Sequence, residues 1–500
     1  MRDGDPERSA SRRPSAPAAI GCVVAAIVIV LWSRRWWGSL YDDSYIFFRY
    51  ADHVVEGCGL RFNCGGPRVE GFSSPLYLAL LSAARLVTRD LERASLVIGT
   101  LSMIAAVALA TLAVDLWARK NPRALSPTLA AWSPLLTAAA SASSAHLVFH
   151  AVVGMDAALG AAVISGVLYC AIAGRYLRLA CCVACLARPE AFVFVLALPL
   201  VKEERSARRL WPIAAFVVGI VVLRLALFGA VTPNTYAAKA GWTAQHASYG
   251  ARYLLESFAA HPAVLLAPLA IGVGSSRLRF FLVGAASWLL GVVPSGGDFY
   301  PLGRLVVPLV PALAAVGVLG AARLLRGNWA ERLGIALACA AMCVDLRRGV
   351  RALPEVHGFE LVLHWRALGE HFRARRPDAL VAVAPSGALP YAFRGRTIDI
   401  LGLNDPAIAR SGASVPPERM KRAWVGHERH DLRYLLAAKP DLFVLMAWRS
   451  EPWVLEDASG GVYAEQEIVA AIQRHEAPYH VVDLELRPGV HQLVFARDPE

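Results

Sequence analysis

The chain has 500 residues, is 56% hydrophobic and only 18% charged, and carries a mean hydropathy of +0.45 and a formal net charge of +12. That balance excludes an ordinary soluble domain, where the apolar share is lower and the charged share higher. The Lys and Arg excess sits between apolar runs, so it reads as positive-inside topology rather than a nucleic-acid surface, and no nucleic-acid partner is expected.

Residues 1–17 are basic and rich in Pro, Ser and Ala, the composition of a disordered cytoplasmic tail. Residues 18–33 are the first apolar run. No A-x-A-like cleavage site follows it; Arg34, Arg35, Trp36 and Trp37 do, which reads as an uncleaved anchor with its Trp pair at the far interface. Residues 38–73 break the apolar pattern. They hold the adjacent acids Asp42 and Asp43, Arg49 among the aromatics Tyr45, Phe47, Phe48 and Tyr50, and later Glu70. Cys58 and Cys64, six positions apart in this loop, are spaced to close a short ring if the loop lies where oxidation is allowed. The other cysteines lie in apolar runs and read as small hydrophobic side chains; Cys181, Cys182 and Cys185 have no second ligand pair that would make a metal site.

Apolar runs follow at about 94–117, 125–142, 155–173, 176–187, 190–201, 210–229, 260–275, 279–294, 305–323 and 329–346. The stretch 74–87 decides the topology. If it spans, the basic loops 118–123, 175–178 and 202–209 fall outside; if it lies at the interface or re-enters, all three fall inside, as the Lys/Arg rule requires. The second choice gives a transmembrane domain over 18–349 of about eleven spans, N-terminus in and C-terminus out. Residues 176–201 must then rise and return in limbs shorter than the roughly 20 residues needed to span. Their apex, Arg188-Pro189-Glu190, is either an ion pair locking two helices or part of a wet cavity.

The same topology gathers other polar segments on the outer side: Gly154-Met155-Asp156, the stretch with Asn234, Tyr236 and Lys239, and Gly296-Gly297-Asp298 with Arg304. Irregular, charged backbone at membrane depth belongs in protein or around a cavity, so these segments imply one outer cavity. From about residue 350 the composition changes to charged segments with β-like runs at 380–383, 397–400, 441–446, 479–486 and 491–496, and helical stretches at 359–374 and 418–438. This predicts an extracytoplasmic α/β domain over 350–500. Asn404 and Asp405, after its second strand, are either cavity-facing or caps of a strand-to-helix turn.

A carboxylate beside such a cavity suits a general base that deprotonates an acceptor hydroxyl for attack on a sugar carbon. A lipid-phosphate leaving group needs cations, for which Arg188, Lys239 and Arg304 are candidates. The motifs carry a resemblance. DDSYIFFRYA, EGCGLRFN and RVEGFSSPLY resemble the first outer loop of bacterial GT-C glycosyltransferases, among them the mycobacterial-type terminal arabinofuranosyltransferase group. GMD at 154–156, ARPE at 187–190, TPNTYAAK at 232–239, GGDFYPLGR at 296–304 and DILGLND at 399–405 continue the likeness in order. Ser73-Ser74 and Leu305 depart from residues frequent in the family.

The resemblance implies a GT-C fold and an inverting transfer of a monosaccharide, hexosyl or pentosyl, from a polyprenyl-phosphate donor to a glycan or glycolipid acceptor, at the outer face of a bacterial inner membrane. It implies that a first-loop Asp is the base, without ranking Asp42 against Asp43. The convergence of outer-side segments makes Arg49, Asn234, Tyr236, Asn404 and Asp405 candidate substrate-binding residues and Arg188, Lys239 and Arg304 candidate holders of the lipid phosphate, while Glu70, Asp156, Glu190 and Asp298 either orient the sugars or pair with those cations. No cofactor is certain; the Asp that is not the base is either an orienter or a ligand of a divalent cation. His146 and His150 stand at i, i+4 but lack a third ligand and read as packing. No Walker or GxGxxG motif points to direct nucleotide use. The rival classes are a lipid-linked-sugar transporter or flippase, which would show inverted repeats, and a non-catalytic envelope assembly protein.

Overall fold

Ser15 accepts a hydrogen bond from the Ala18 N–H and caps a helix over Ala16–Arg35, which begins just inside the predicted tail. In the computed structural model, residues 13–499 are described except 240, 242, 299, 301, 326 and 353–357. Most of the tail predicted at 1–17 therefore lies outside the described residues.

Among the described residues four helices are long and apolar enough to cross a membrane: Ala16–Arg35, Leu91–Lys120, Ala207–Phe228 and Val307–Leu324. A fifth span results if Ala244–Ala260 and Pro262–Val273, bent by 94° at their junction, count as one. This is a multi-pass helical membrane protein, and by length and composition its described helices give four or five candidate spans, against the eleven expected. Shortened and proline-containing helices account for part of the difference. The run at 125–142 becomes Pro127–Ala142 with Pro134 inside it, and 260–275 becomes a 3₁₀ stretch with Pro268 inside. At 74–87 the helix is only Pro75–Arg85, capped by Ser74 and too short to span. The chain at 176–201 breaks at Arg188, which has extended backbone between the helix Leu177–Ala187 and the turn Pro189–Ala191.

The C-terminal unit is α/β, with strands β1 (Val381–Val383), β2 (Thr397–Asp399), β3 (Ala413–Ser414), β4 (Arg429–His430), β5 (Leu442–Arg449), β6 (Tyr479–Arg487) and β7 (Val490–Arg497), five of which form a sheet of order β2-β1-β5-β7-β6. Parallel strands β1, β2 and β5 adjoin an antiparallel edge of β6 and β7. Leu442–Leu445 is a continuous buried run, as expected for a strand covered on both faces. The helix Gly358–Arg375 matches expectation. The stretch 418–438 does not. Pro416 and Pro417 interrupt its start, and it forms two 3₁₀ turns, a short strand Arg429–His430 and a helix only at Leu432–Ala437, capped by Asp431.

Loop 38–73 and the sheet edge are welded together. Asn63 donates to Thr397 O at 2.7 Å and accepts from Thr397 N at 3.0 Å. On the other side, Gln245 and Tyr249 both donate to Met420 O, and His246 meets Glu428 at 3.2 Å. Within the loop Cys58 and Cys64 form a disulfide, with Cα atoms 5.2 Å apart. Mass spectrometry of protein purified without reductant is expected to find this pair oxidised. Replacing both by Ser is expected to cost about 2–3 kcal/mol of stability, the chain-entropy value for a short ring.

Candidate active site

Asp42 and Asp43 open the helix Asp42–Val55, where acids are favoured by the positive end of the helix dipole. Successive residues on a helix point about 100° apart, and the pair divides accordingly. Asp43 faces a cavity of about 700 Å³ between the helices and the C-terminal unit. Asp42 instead accepts hydrogen bonds from Gly387 N at 2.9 Å and Ala388 N at 2.7 Å. A Cβ on Gly387 would lie 1.9 Å from Asp42 O, so only glycine permits this approach. Burial pushes the Asp42 pKa up to about 7 against the pull of the two N–H bonds, and the Asp43 charge adds to the rise.

Arg304 joins Asp43 to Asp298. Its Nη1 is 3.2 Å from Asp43 Oδ2, its Nε is 2.5 Å from Asp298 Oδ2, and its Nη2 is 2.9 Å from Asp298 Oδ1. The guanidinium also lies 4.5 Å from the centroid of the Tyr300 ring, which stacks on Tyr41 at 4.1 Å. Across the cavity, Arg188 donates from Nη1 to both oxygens of Asp156 at 3.1 Å and from Nη2 to Glu190 at 2.7 Å. The Arg188-Glu190 pair is thus both a structural lock and part of the cavity wall. Lys239 and Tyr236 line the same chamber.

Six expected site residues, one catalytic candidate and five substrate-binding ones, sit elsewhere. Asp42 docks the C-terminal unit, as described. Arg49 is buried, with its guanidinium bonded to the carbonyls of Phe62, Pro390 and Gly395 and to Asn63 Oδ1; it braces the loop and does not line the cavity. Asn234 donates to Gly402 O and Leu403 O, again a clasp between segments. Asp405 caps Pro406–Ser411 through the N–H groups of Ala407 and Ile408 and accepts from Tyr434 Oη, the turn-capping alternative. Asn404 donates to Asp399 and is buried against Gly71, where a Cβ would come within 2.0 Å of its Oδ1. Glu70 lies behind the wall, paired with Arg224.

Arg224 was missed. It lines the cavity from the apolar helix Ala207–Phe228, and the signal was available, since an arginine inside an apolar run is costly unless it faces a polar chamber. Also missed was the segment Val425-Gly426, which closes the chamber from the C-terminal unit. The next residue, His427, lies in the field of Lys239, Asp43, Asp298 and Arg304; burial first, then Lys239, pull its pKa down to about 4. Among the described residues no three His, Cys, Asp or Glu side chains converge to hold a metal ion, and Asp43 and Asp298 are already bonded to Arg304. His146 and His150 contact the carbonyls of Ala260 and Leu302.

Residues 354–488 match a family described as "Domain of unknown function (DUF8728)", well under half of the chain. No curated protein matches. A solved structure that matches is "ArnT from Cupriavidus metallidurans bound to Undecaprenyl phosphate", with 13% identity and a TM-score of 0.49 over 96% of this chain and 99% of that one. At that identity and score the likeness decides neither fold nor function.

Proposed function

We propose that the protein is an inverting GT-C glycosyltransferase that moves a monosaccharide, hexosyl or pentosyl, from a polyprenyl-phosphate carrier to a cell-envelope glycan or glycolipid at the outer face of a bacterial inner membrane. The observation that carries this reading is the chamber in which Asp43 stands beside Arg304, with Lys239 and Arg188 in a wall shared with apolar side chains of the helix Ala207–Phe228. The ordered motifs of the first outer loop support the same class.

In this reading the acceptor hydroxyl gives its proton to the Asp43 carboxylate while its oxygen bonds the anomeric carbon from the face opposite the lipid phosphate. The bond from that carbon to the phosphate oxygen breaks, and its electron pair leaves on the phosphate. The phosphate departs as an anion, so positive charge helps it more than an acid would. Asp298 holds Arg304 in register with Asp43, and Asp156 and Glu190 do the same for Arg188. Asp42 positions the loop through the C-terminal unit rather than touching substrate.

The test is transfer by purified protein of radiolabelled sugar from a polyprenyl phosphate to an envelope acceptor fraction. Absence of transfer with every such donor, together with translocation of the lipid-linked sugar across liposomes, would replace this reading with the flippase one. The orientation has its own test. A reporter fused after Arg351 is expected to read as extracytoplasmic and one at Glu204 as cytoplasmic; the same side for both would remove the outer cavity from this scheme.

A further inference from the structure

Among the described residues three guanidinium groups line the chamber, and they are not equivalent. All three nitrogens of Arg304 are bonded to Asp298 and Asp43. Both terminal nitrogens of Arg188 are bonded to Asp156 and Glu190, and its Nε is buried without a partner. Arg224 is the reverse. Its Nε meets both oxygens of Glu70, at 3.1 and 3.0 Å, while neither terminal nitrogen has a hydrogen-bond partner among the described residues. Glu70 therefore engages the group at Nε, and the two terminal nitrogens stay unengaged by the described residues on a side chain that lines the chamber.

The helix that carries Arg224 supplies the second observation. Val217, Ile220, Val221 and Arg224 all line the cavity, at the 3-4-7 spacing of one helical face. At 1.5 Å per residue, Arg224 stands about 5–10 Å further along the axis than the apolar positions. Most of the rest of this helix is exposed, as on a lipid-facing span. An apolar chain entering from the bilayer along this face would end at an arginine fork.

We infer that Arg224 binds the phosphate of the polyprenyl donor, with the prenyl chain lying along Val217, Ile220 and Val221; this rests on the glycosyl-transfer reading. A planar fork with two unengaged terminal nitrogens matches two phosphate oxygens. Arg188 and Arg304, engaged by carboxylates, shape the field around the reacting carbon instead.

The experiment measures binding of a C55 polyprenyl phosphate, of neutral polyprenol and of inorganic phosphate to the full chain in detergent by native mass spectrometry. Arg224→Gln is expected to weaken polyprenyl phosphate binding about 10- to 100-fold, the range for charge-assisted hydrogen bonds, and to leave polyprenol binding unchanged. The pair Arg224→Gln with Glu70→Gln, which leaves no unpaired carboxylate, is expected to do the same. Unweakened polyprenyl phosphate binding in both variants overturns the inference while the transfer reading stands. Equal loss of polyprenol also overturns it, since the helix rather than the charge would then be at fault. Binding of inorganic phosphate as tightly as the lipid overturns the lipid assignment. A wild-type chain that binds no polyprenyl phosphate removes the donor reading and this inference together.

Discussion

Asp43→Asn is expected to lower sugar transfer from a polyprenyl phosphate by about 10²–10⁴-fold, the usual contribution of a general base. Asparagine keeps the shape of the side chain and can still meet Arg304, but it takes no proton. Donor affinity is expected to survive, because the substitution removes a negative charge from the chamber and leaves the cations in place. Asp42→Asn should behave differently. Its oxygens receive the Gly387 and Ala388 N–H groups, and an amide can offer an acceptor to only one of them. Activity and thermal stability are therefore expected to fall together, and the two losses should track each other across temperature. A single-turnover assay beside a melting curve separates the two cases. If neither variant loses more than a few-fold in transfer, the loop is not the catalytic centre and a transporter role should replace it.

Arg188→Ala is expected to be the most damaging change to the fold. Arg188 and Asp156 are both nearly inaccessible, at 4% and 1% exposure. Breaking a buried ion pair by removing one partner costs about 3–5 kcal/mol, because the remaining charge is left without compensation. Here Asp156 would lose its cation outright, and Glu190 would lose the 2.7 Å contact that orients it. A large fall in the melting temperature of the detergent-solubilised protein is the expected reading. The double variant Arg188→Met with Asp156→Leu removes both charges and should recover much of that stability. It should not recover transfer, since the field around the reacting carbon would still be missing. A double variant as unstable as Arg188→Ala would show that packing, not charge, dominates at this position.

Much of the C-terminal unit was legible because its strands are short apolar runs between turn residues, and the five expected strands lie within a residue or a few of β1, β2, β5, β6 and β7. The region 418–438 misled because its apolar residues serve a docking loop, and periodicity does not distinguish a helix face from side chains buried by a partner segment. The membrane part was legible as a class, while its helices were not, since proline breaks within continuous apolar runs leave hydropathy unchanged. At the site, motif order gathered Asp43, Asp156, Arg188, Glu190, Tyr236, Lys239, Asp298 and Arg304 around one chamber. The same motifs also contained Arg49, Asn234, Asn404 and Asp405, whose partners are backbone groups and side chains that brace the fold. A polar residue inside a loop motif looks alike whether it faces substrate or another carbonyl, and only the fold tells them apart. Arg224 was passed over for the opposite reason, being one charge in a long apolar run.

The bonds from Asp42 to Gly387 and Ala388 join positions 345 and 346 residues apart. During synthesis the first loop is therefore made long before the groups that complete it. Asp42, Arg49 and Asn63 each take partners between Gly387 and Thr397, made only in the last quarter of the chain. A chain truncated before residue 387 would keep both aspartates and the four long apolar helices but none of these partners, so the docking of the first loop is completed by the last part of the polypeptide to be made.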